Sequence, residues 1–175
     1  MARVLKRSDL VKTAAKYLGL PIILFVVQVS LYYIFSPDEA ISNLGIELAD
    51  SDELLLSMIA FTPIIVLFEE LGLRAVPHYI YTGLSKGWMS MGDYIENLND
   101  SGLESYILLG FGLVNGFIHL TNIEGVSFLN IAKYLFIHFV GGAYLGGVYL
   151  KYGFKQVYVT HLLYNMMIYT VFYPR

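Results

Sequence analysis

The sequence contains no cysteine and few charged residues. Because cysteine is absent from all 175 residues, disulfides, thiolate metal sites and a cysteine nucleophile are excluded. Only 14% of the residues are charged, whereas soluble domains have about a quarter. The net charge is -3 and the chain has no extended basic block, so we expect no nucleic-acid partner.

Apolar residues dominate the amino-acid composition of the chain. They make up 57% of the chain, and the mean hydropathy is +0.60. A water-soluble fold of this length would have to bury more apolar surface than its interior holds. Several apolar runs approach the length of about 20 residues that crosses a bilayer as a helix. The sequence therefore predicts an integral membrane protein, with the lipid bilayer as its surroundings.

Five apolar segments predict five spanning helices, and together they predict a single all-α, polytopic transmembrane helical bundle over residues 1–175. The predicted spans are 17–35, 53–81, 103–120, 128–150 and 154–173. The first apolar segment is too long for the core of a cleaved signal peptide, so it is predicted to be retained.

Charge asymmetry predicts the orientation of the bundle. Residues 1–16 form a basic arm, and the loop 36–53 contains no Lys or Arg. The positive-inside rule then predicts a cytoplasmic N-terminus and an external first loop. The expected location is a bacterial cytoplasmic membrane.

Two adjacent glutamates and an arginine follow the apolar part of the second span. Glu69 and Glu70 come directly after the uncharged run Ile59–Phe68. Ionisable groups at membrane depth cost at least about 2.5 kcal/mol each, so they indicate function by default. Glu70 and Arg74 are i,i+4 neighbours on a helix and are predicted to form an internal ion pair. Glu69 lies about 100° around the helix and is free to face another helix.

Three further polar residues occur in predicted spans and suggest a shared pocket with Glu69. His119 lies late in the third span, and His161 and Asn165 are i,i+4 neighbours on the fifth. A carboxylate and an imidazole can activate water, while a second imidazole and an amide can donate hydrogen bonds to a developing oxyanion. These groups suit the hydrolysis of an amide bond without a covalent intermediate.

A zinc site is an open alternative. His119, His161 and Glu69 match the ligand set of two histidines and one glutamate found in some hydrolases. However, the His-Glu-x-x-His signature is absent, and each ligand would come from a different helix. Zinc therefore stays possible but is not favoured. The other two histidines, His78 and His138, have no such polar setting and are predicted to be structural.

Three motifs occur in order along the chain. Glu-Glu-x-x-x-Arg spans residues 69–74, the histidine of a Phe-x-x-x-His motif is matched by His119, and His-x-x-x-Asn spans residues 161–165. This set resembles the CAAX-protease and bacteriocin-processing (CPBP, or Abi) family of intramembrane endopeptidases. The resemblance covers about residues 54–170, including the glycine-rich segment 142–153 before the third motif.

The resemblance implies a role for each motif residue. Glu69 would be the general base for a water molecule, assisted by His119. His161 and Asn165 would stabilise the tetrahedral oxyanion. The ion pair of the first motif would position the pocket.

The chain departs from the family pattern at two positions. Asn115 stands where the second motif has phenylalanine, and Ala75 stands where a glycine usually follows the arginine. A difference in depth is also expected, because a rise of about 1.5 Å per residue puts His119 about 20 Å along its span and His161 about 10 Å along its own.

The predicted function is that of an intramembrane endopeptidase that cuts a peptide or protein substrate near the cytoplasmic face. Two alternatives stay open. One is a non-catalytic membrane protein for peptide binding or bacteriocin immunity, and the other is a small proton-coupled transporter that relays protons through its Glu and His residues. A prenylated C-terminal peptide, a bacteriocin leader and a membrane-protein segment are all open as substrates.

Overall fold

Helices account for the fold. The computed structural model describes residues 7–35, 52–88, 90, 105–119 and 128–172. The elements in chain order are α1 Arg7–Phe35, α2 Asp52–Glu70, a π-helix Leu71–Ala75, α3 Val76–Lys86, α4 Ser105–His119, α5 Phe128–Tyr152 and α6 Phe154–Phe172. No strand occurs in these ranges, so the all-α prediction is confirmed for them.

Two of the helices are long and apolar enough to cross a membrane. They are the segment Val11–Phe35 of α1 and the whole of α5, and both coincide with predicted spans. The apolar segment Leu109–His119 of α4 is shorter. Helix α2 carries four acidic residues among its nineteen. Length and composition therefore support two membrane spans among the described helices, and the arrangement with five spans stays a prediction.

Two helix boundaries differ from those expected. The first helix begins at Arg7 rather than Tyr17, because the basic arm after Arg7 contains no glycine or proline and several strong helix formers. The second predicted helix continues to Lys86 and is interrupted by the π-helix directly after Glu70. Single-turn π segments inside helices occur frequently at functional sites.

Glycines bring α4 and α5 close together, and among the described helices these two pack against each other most extensively. A Cβ on Gly142 would lie 2.4 Å from the Cβ of Asn115, and a Cβ on Gly112 would lie 2.7 Å from the ring of Phe139. Neither position has room for a side chain, so the backbones approach to a distance that only glycine allows. This contact positions the C-terminal end of α4 against the middle of α5.

Helix α1 is bonded into the bundle by buried polar side chains. The Gln28 amide donates to the backbone carbonyl of Ile137 at 3.1 Å, and the Tyr144 hydroxyl donates to the carbonyl of Leu20 at 2.9 Å. Both bonds join α1 to α5. Side-chain hydrogen bonds between membrane helices contribute about 0.6 kcal/mol each on average. α1 is thus part of the packed bundle.

The N-terminal part of α1 and the turn between α5 and α6 lie at the same end of the bundle. The Nζ atoms of Lys16 and Lys151 lie 4.6 Å and 5.3 Å from the ring centroid of Tyr152. Gly153, with φ +84°, makes the turn, since its positive φ is rarely open to other residues. Both basic segments are therefore at one end, as expected if they share one side of a membrane.

Helix α2 exposes apolar side chains and buries polar ones. Phe61, Ile65 and Phe68 are each more than half exposed, whereas Thr62 and Glu70 are buried. A helix on the surface of a soluble protein has the opposite distribution. The pattern is typical of a helix surrounded by lipid, and it directs Glu70 into the bundle.

Candidate active site

The first motif forms a buried ion pair. Nη1 of Arg74 donates to Oε1 of Glu70 at 2.6 Å, and the two side chains are 1% and 0% exposed. The pair joins the last residue of α2 to the π-helix. The predicted i,i+4 pairing of Glu70 with Arg74 is confirmed.

His161 of α6 contacts the same carboxylate oxygen. Its Nδ1 lies 2.7 Å from Oε1 of Glu70. An ionised carboxylate only accepts hydrogen bonds, so Nδ1 carries the hydrogen and donates it. In the tautomer that carries its hydrogen on Nδ1, the lone pair lies on Nε2, the nitrogen that points away from Glu70.

Glu69 faces this second nitrogen. Its Oε2 lies 3.7 Å from Nε2 of His161, and its side chain is 32% exposed, whereas that of Glu70 is 0% exposed. A polar separation above about 3.5 Å suits a bridging water better than a direct hydrogen bond. Adjacent glutamates thus lie in different environments, with one buried against Arg74 and the other accessible beside an imidazole.

His119, on α4, contacts a different part of the bundle from Glu69. Its ring stacks on the ring of His138, with centroids 4.2 Å apart and an interplanar angle of 17°. Electrostatic interactions with His161 and Arg74 also reach His119. Its direct ring contact is therefore with α5, whereas Glu69 has His161 as its imidazole neighbour.

His138 is a site neighbour that sequence reasoning missed. Besides stacking on His119, its Nε2 is 3.0 Å from the hydroxyl of Tyr32 on α1. The spacing Gly112-x-x-x-Gly116 on α4 was the available signal, because small residues four apart indicate a close helix partner. The other histidine predicted to be structural, His78, is buried against aromatic rings in α3 and α5, as expected.

The departure at Asn115 has a structural explanation. The Asn115 amide donates to the backbone carbonyl of His138 at 2.8 Å, one turn before His119 on α4. Its Cβ packs on Gly142, where the helices are closest. The amide is therefore bonded to the α5 backbone.

Asn165 lies half-buried on α6, one turn after His161. The hydrogen bonds described for the cluster do not include its amide, so its role stays a prediction. Among residues whose side chains are described, no group of three or more His, Asp or Glu is arranged to hold a metal ion. The zinc alternative with His119, His161 and Glu69 therefore stays open and needs a direct test.

Comparisons with known proteins add no relative. No family model, curated protein or solved structure matches the chain. Functional interpretation therefore depends on the motifs and on the geometry of the cluster.

Proposed function

We propose that the protein is an intramembrane endopeptidase of the CPBP type, which hydrolyses a peptide bond with a water molecule activated by Glu69. The observation that supports this most directly is the continuous series of contacts from Arg74 through Glu70 and His161 to Glu69. In this series a buried ion pair orients an imidazole, and the imidazole faces an accessible carboxylate.

The proposed first step is the activation of water. A water held between Oε2 of Glu69 and Nε2 of His161 would donate one hydrogen to each, since both atoms can accept. Glu69 takes the proton as the oxygen attacks the carbonyl carbon of the substrate. The proton then passes to the nitrogen of the leaving amine when the C–N bond breaks. Glu70 acts on His161 as the aspartate of a catalytic triad acts on its histidine, holding the tautomer and ring orientation.

The oxyanion that forms on the carbonyl needs hydrogen-bond donors. Asn165 and His119 are our candidates, from α6 and α4. This assignment differs from the one implied by the family resemblance, in which His119 assists Glu69 and His161 stabilises the oxyanion. The change is based on the 3.7 Å separation between Glu69 and His161 and on the stacking of His119 against His138.

A membrane setting for this chemistry is supported by the two apolar helices of spanning length and by the apolar outer surface of α2. We propose five spans, a cytoplasmic N-terminus and a peptide or protein substrate that reaches Glu69 near the cytoplasmic face. The basic end of the bundle, with Lys16 and Lys151, would be the cytoplasmic end.

The test compares membrane proteomes of cells that express the intact protein, Glu69→Gln or Glu124→Gln. Glu124→Gln makes the same chemical change outside the three motifs. We expect new peptide termini with the intact protein and with Glu124→Gln, and none with Glu69→Gln, provided that all three unfold at similar temperatures. Identical termini in all three samples would refute the proposal.

The two alternative functions predict different results, one in cells and one in liposomes. A binding or immunity protein would keep its protective activity in Glu69→Gln, and a proton-coupled transporter would show flux into liposomes that depends on pH. The zinc alternative is tested on the purified protein, by treatment with a chelator followed by addition of zinc. Cleavage that is lost and then restored would assign a metal to the site.

A further inference from the structure

His138, on α5, contacts two other helices, although no motif includes it. Its Nε2 bonds to the hydroxyl of Tyr32 on α1 at 3.0 Å. Its ring stacks on His119 of α4, and its own backbone carbonyl, on α5, accepts from Asn115 of α4. The side chain therefore links α1 to the end of α4 through the middle of α5.

Tyr32 is the residue of α1 that contacts His138. It is 2% exposed, and the ring of the neighbouring Tyr134 lies 4.4 Å from that of His138. The ring of Tyr32 meets the ring of His138 edge-on, at an angle of 79°. His138 is thus contacted by two tyrosine rings and one imidazole, and the hydroxyl of Tyr32 determines which way its Nε2 points.

His119 is the last residue of α4, and its imidazole stacks on the ring of His138. A helical side chain points back over the preceding turn, and on α4 that turn carries Asn115, which is bonded to the backbone of His138. Among the described contacts, the stack on His138 is the one that bears on the plane of the imidazole.

We propose that Tyr32 and His138 are positioning residues, which hold the His119 imidazole in the orientation that the oxyanion requires. This proposal rests on the function proposed above, because the orientation of His119 matters only if its imidazole donates to the oxyanion. It also extends the site to α1, which lies outside residues 54–170, where the three motifs occur. Preorganised donors act on the transition state, so their displacement lowers kcat more than it raises KM.

Tyr32→Phe and Tyr144→Phe form a matched pair for the test. Each removes one tyrosine hydroxyl that bonds between α1 and α5, from the buried Tyr32 or the half-buried Tyr144. The Tyr144 hydroxyl bonds to the carbonyl of Leu20, and that bond does not involve His138 or His119. We expect a loss of thermal stability in both variants, with the larger loss in Tyr32→Phe because its hydroxyl is more deeply buried. With the substrate found by proteomics, we expect Tyr32→Phe to lower kcat by about tenfold or more with KM unchanged, because small displacements of catalytic groups cost up to about 100-fold. Tyr144→Phe should keep the kcat of the intact protein.

A second measurement does not depend on catalysis. The chain has four histidines, so the imidazole signals in the NMR spectrum of histidine-labelled protein can be assigned with single variants, and that of His119 with His119→Gln. We expect the His119 signal to shift in Tyr32→Phe and to stay in place in Tyr144→Phe. An unmoved His119 signal in both variants, or equal shifts in both, would overturn the positioning role. If the His119 signal shifts only in Tyr32→Phe but the intact protein cleaves no substrate, the positioning role is supported and the endopeptidase function is rejected.

Discussion

Removal of the charge on Glu70 tests whether the buried ion pair organises the site. Oε1 of Glu70 accepts from Nη1 of Arg74 at 2.6 Å and from Nδ1 of His161 at 2.7 Å. In Glu70→Gln the amide oxygen can take the place of Oε1 and accept both hydrogen bonds. The substitution therefore removes the negative charge and leaves the shape of the side chain nearly unchanged.

The expected cost follows from burial. Arg74 is 1% exposed, so its charge has no access to water once Glu70 is neutral. Loss of one partner from a buried ion pair costs about 3–5 kcal/mol, whereas an exposed pair contributes about 0.2–1 kcal/mol. In the described part of the chain, Oε2 of Glu70 and Nε and Nη2 of Arg74 have no hydrogen-bond partner. The pair is incompletely satisfied, and a buried pair of this kind is often replaced by apolar residues at little or no cost.

We therefore expect Glu70→Gln to lose about 3–5 kcal/mol of unfolding free energy, and the double variant Glu70→Leu, Arg74→Leu to recover most of that loss. The measurement is reversible unfolding by SDS in mixed micelles. The double variant should be inactive despite its recovered stability, because His161 has then lost the acceptor that orients it. A change below about 0.5 kcal/mol in Glu70→Gln, or no recovery in the double variant, would show that Arg74 is hydrated and that the reasoning from burial is wrong.

Three further outcomes are expected. Gly142→Ala should destabilise the protein by about 1–3 kcal/mol in the same SDS titration, because the new methyl group would overlap the α4 backbone, and Gly110→Ala, which has open space around it, should not. Asn115→Phe, which restores the residue of the family motif, should also destabilise by about 1–3 kcal/mol, since a ring has no space against Gly142; unchanged stability would show that α4 can move away. In a chain without cysteine, Lys155→Cys should react with a membrane-impermeant maleimide only from the cytoplasmic side and Ser42→Cys only from the outside, and the reverse pattern would reject the predicted orientation.

Local features of the site were predictable because a helix determines them by itself. Residues four apart lie on one face, so the pairing of Glu70 with Arg74 required only that α2 and the following turn be helical. The same geometry separated Glu69 from Glu70. The all-α class followed from the apolar composition, since a chain in lipid must satisfy its backbone hydrogen bonds internally.

Predictions about residues from different helices were less complete. The positions of the polar residues placed Glu69 with His119 and His161 in one pocket without indicating which imidazole faces the carboxylate. The family resemblance implied that His119 assists Glu69, whereas His161 is the imidazole beside Glu69 in the structure. The contact between His138 and His119 illustrates the reason. It depends on the rotation and the axial register of α4 against α5, which the sequence does not reveal. Close packing at Gly112 and Gly142 determines that register. A change of a fraction of an ångström in the separation of the helices there would change which side chains are in contact.

By itself, then, the sequence determined the helical class, the buried ion pair and the polar residues available for chemistry, because composition and helical periodicity act over a few residues. Only the tertiary structure decided that His161 lies between the two glutamates, that His119 stacks on His138, and that Tyr32 of α1 reaches this cluster. These contacts join residues about 90 or more positions apart, or residues on neighbouring helices whose register is set by packing. No periodicity along the chain encodes such distances, since they depend on how whole helices fit together.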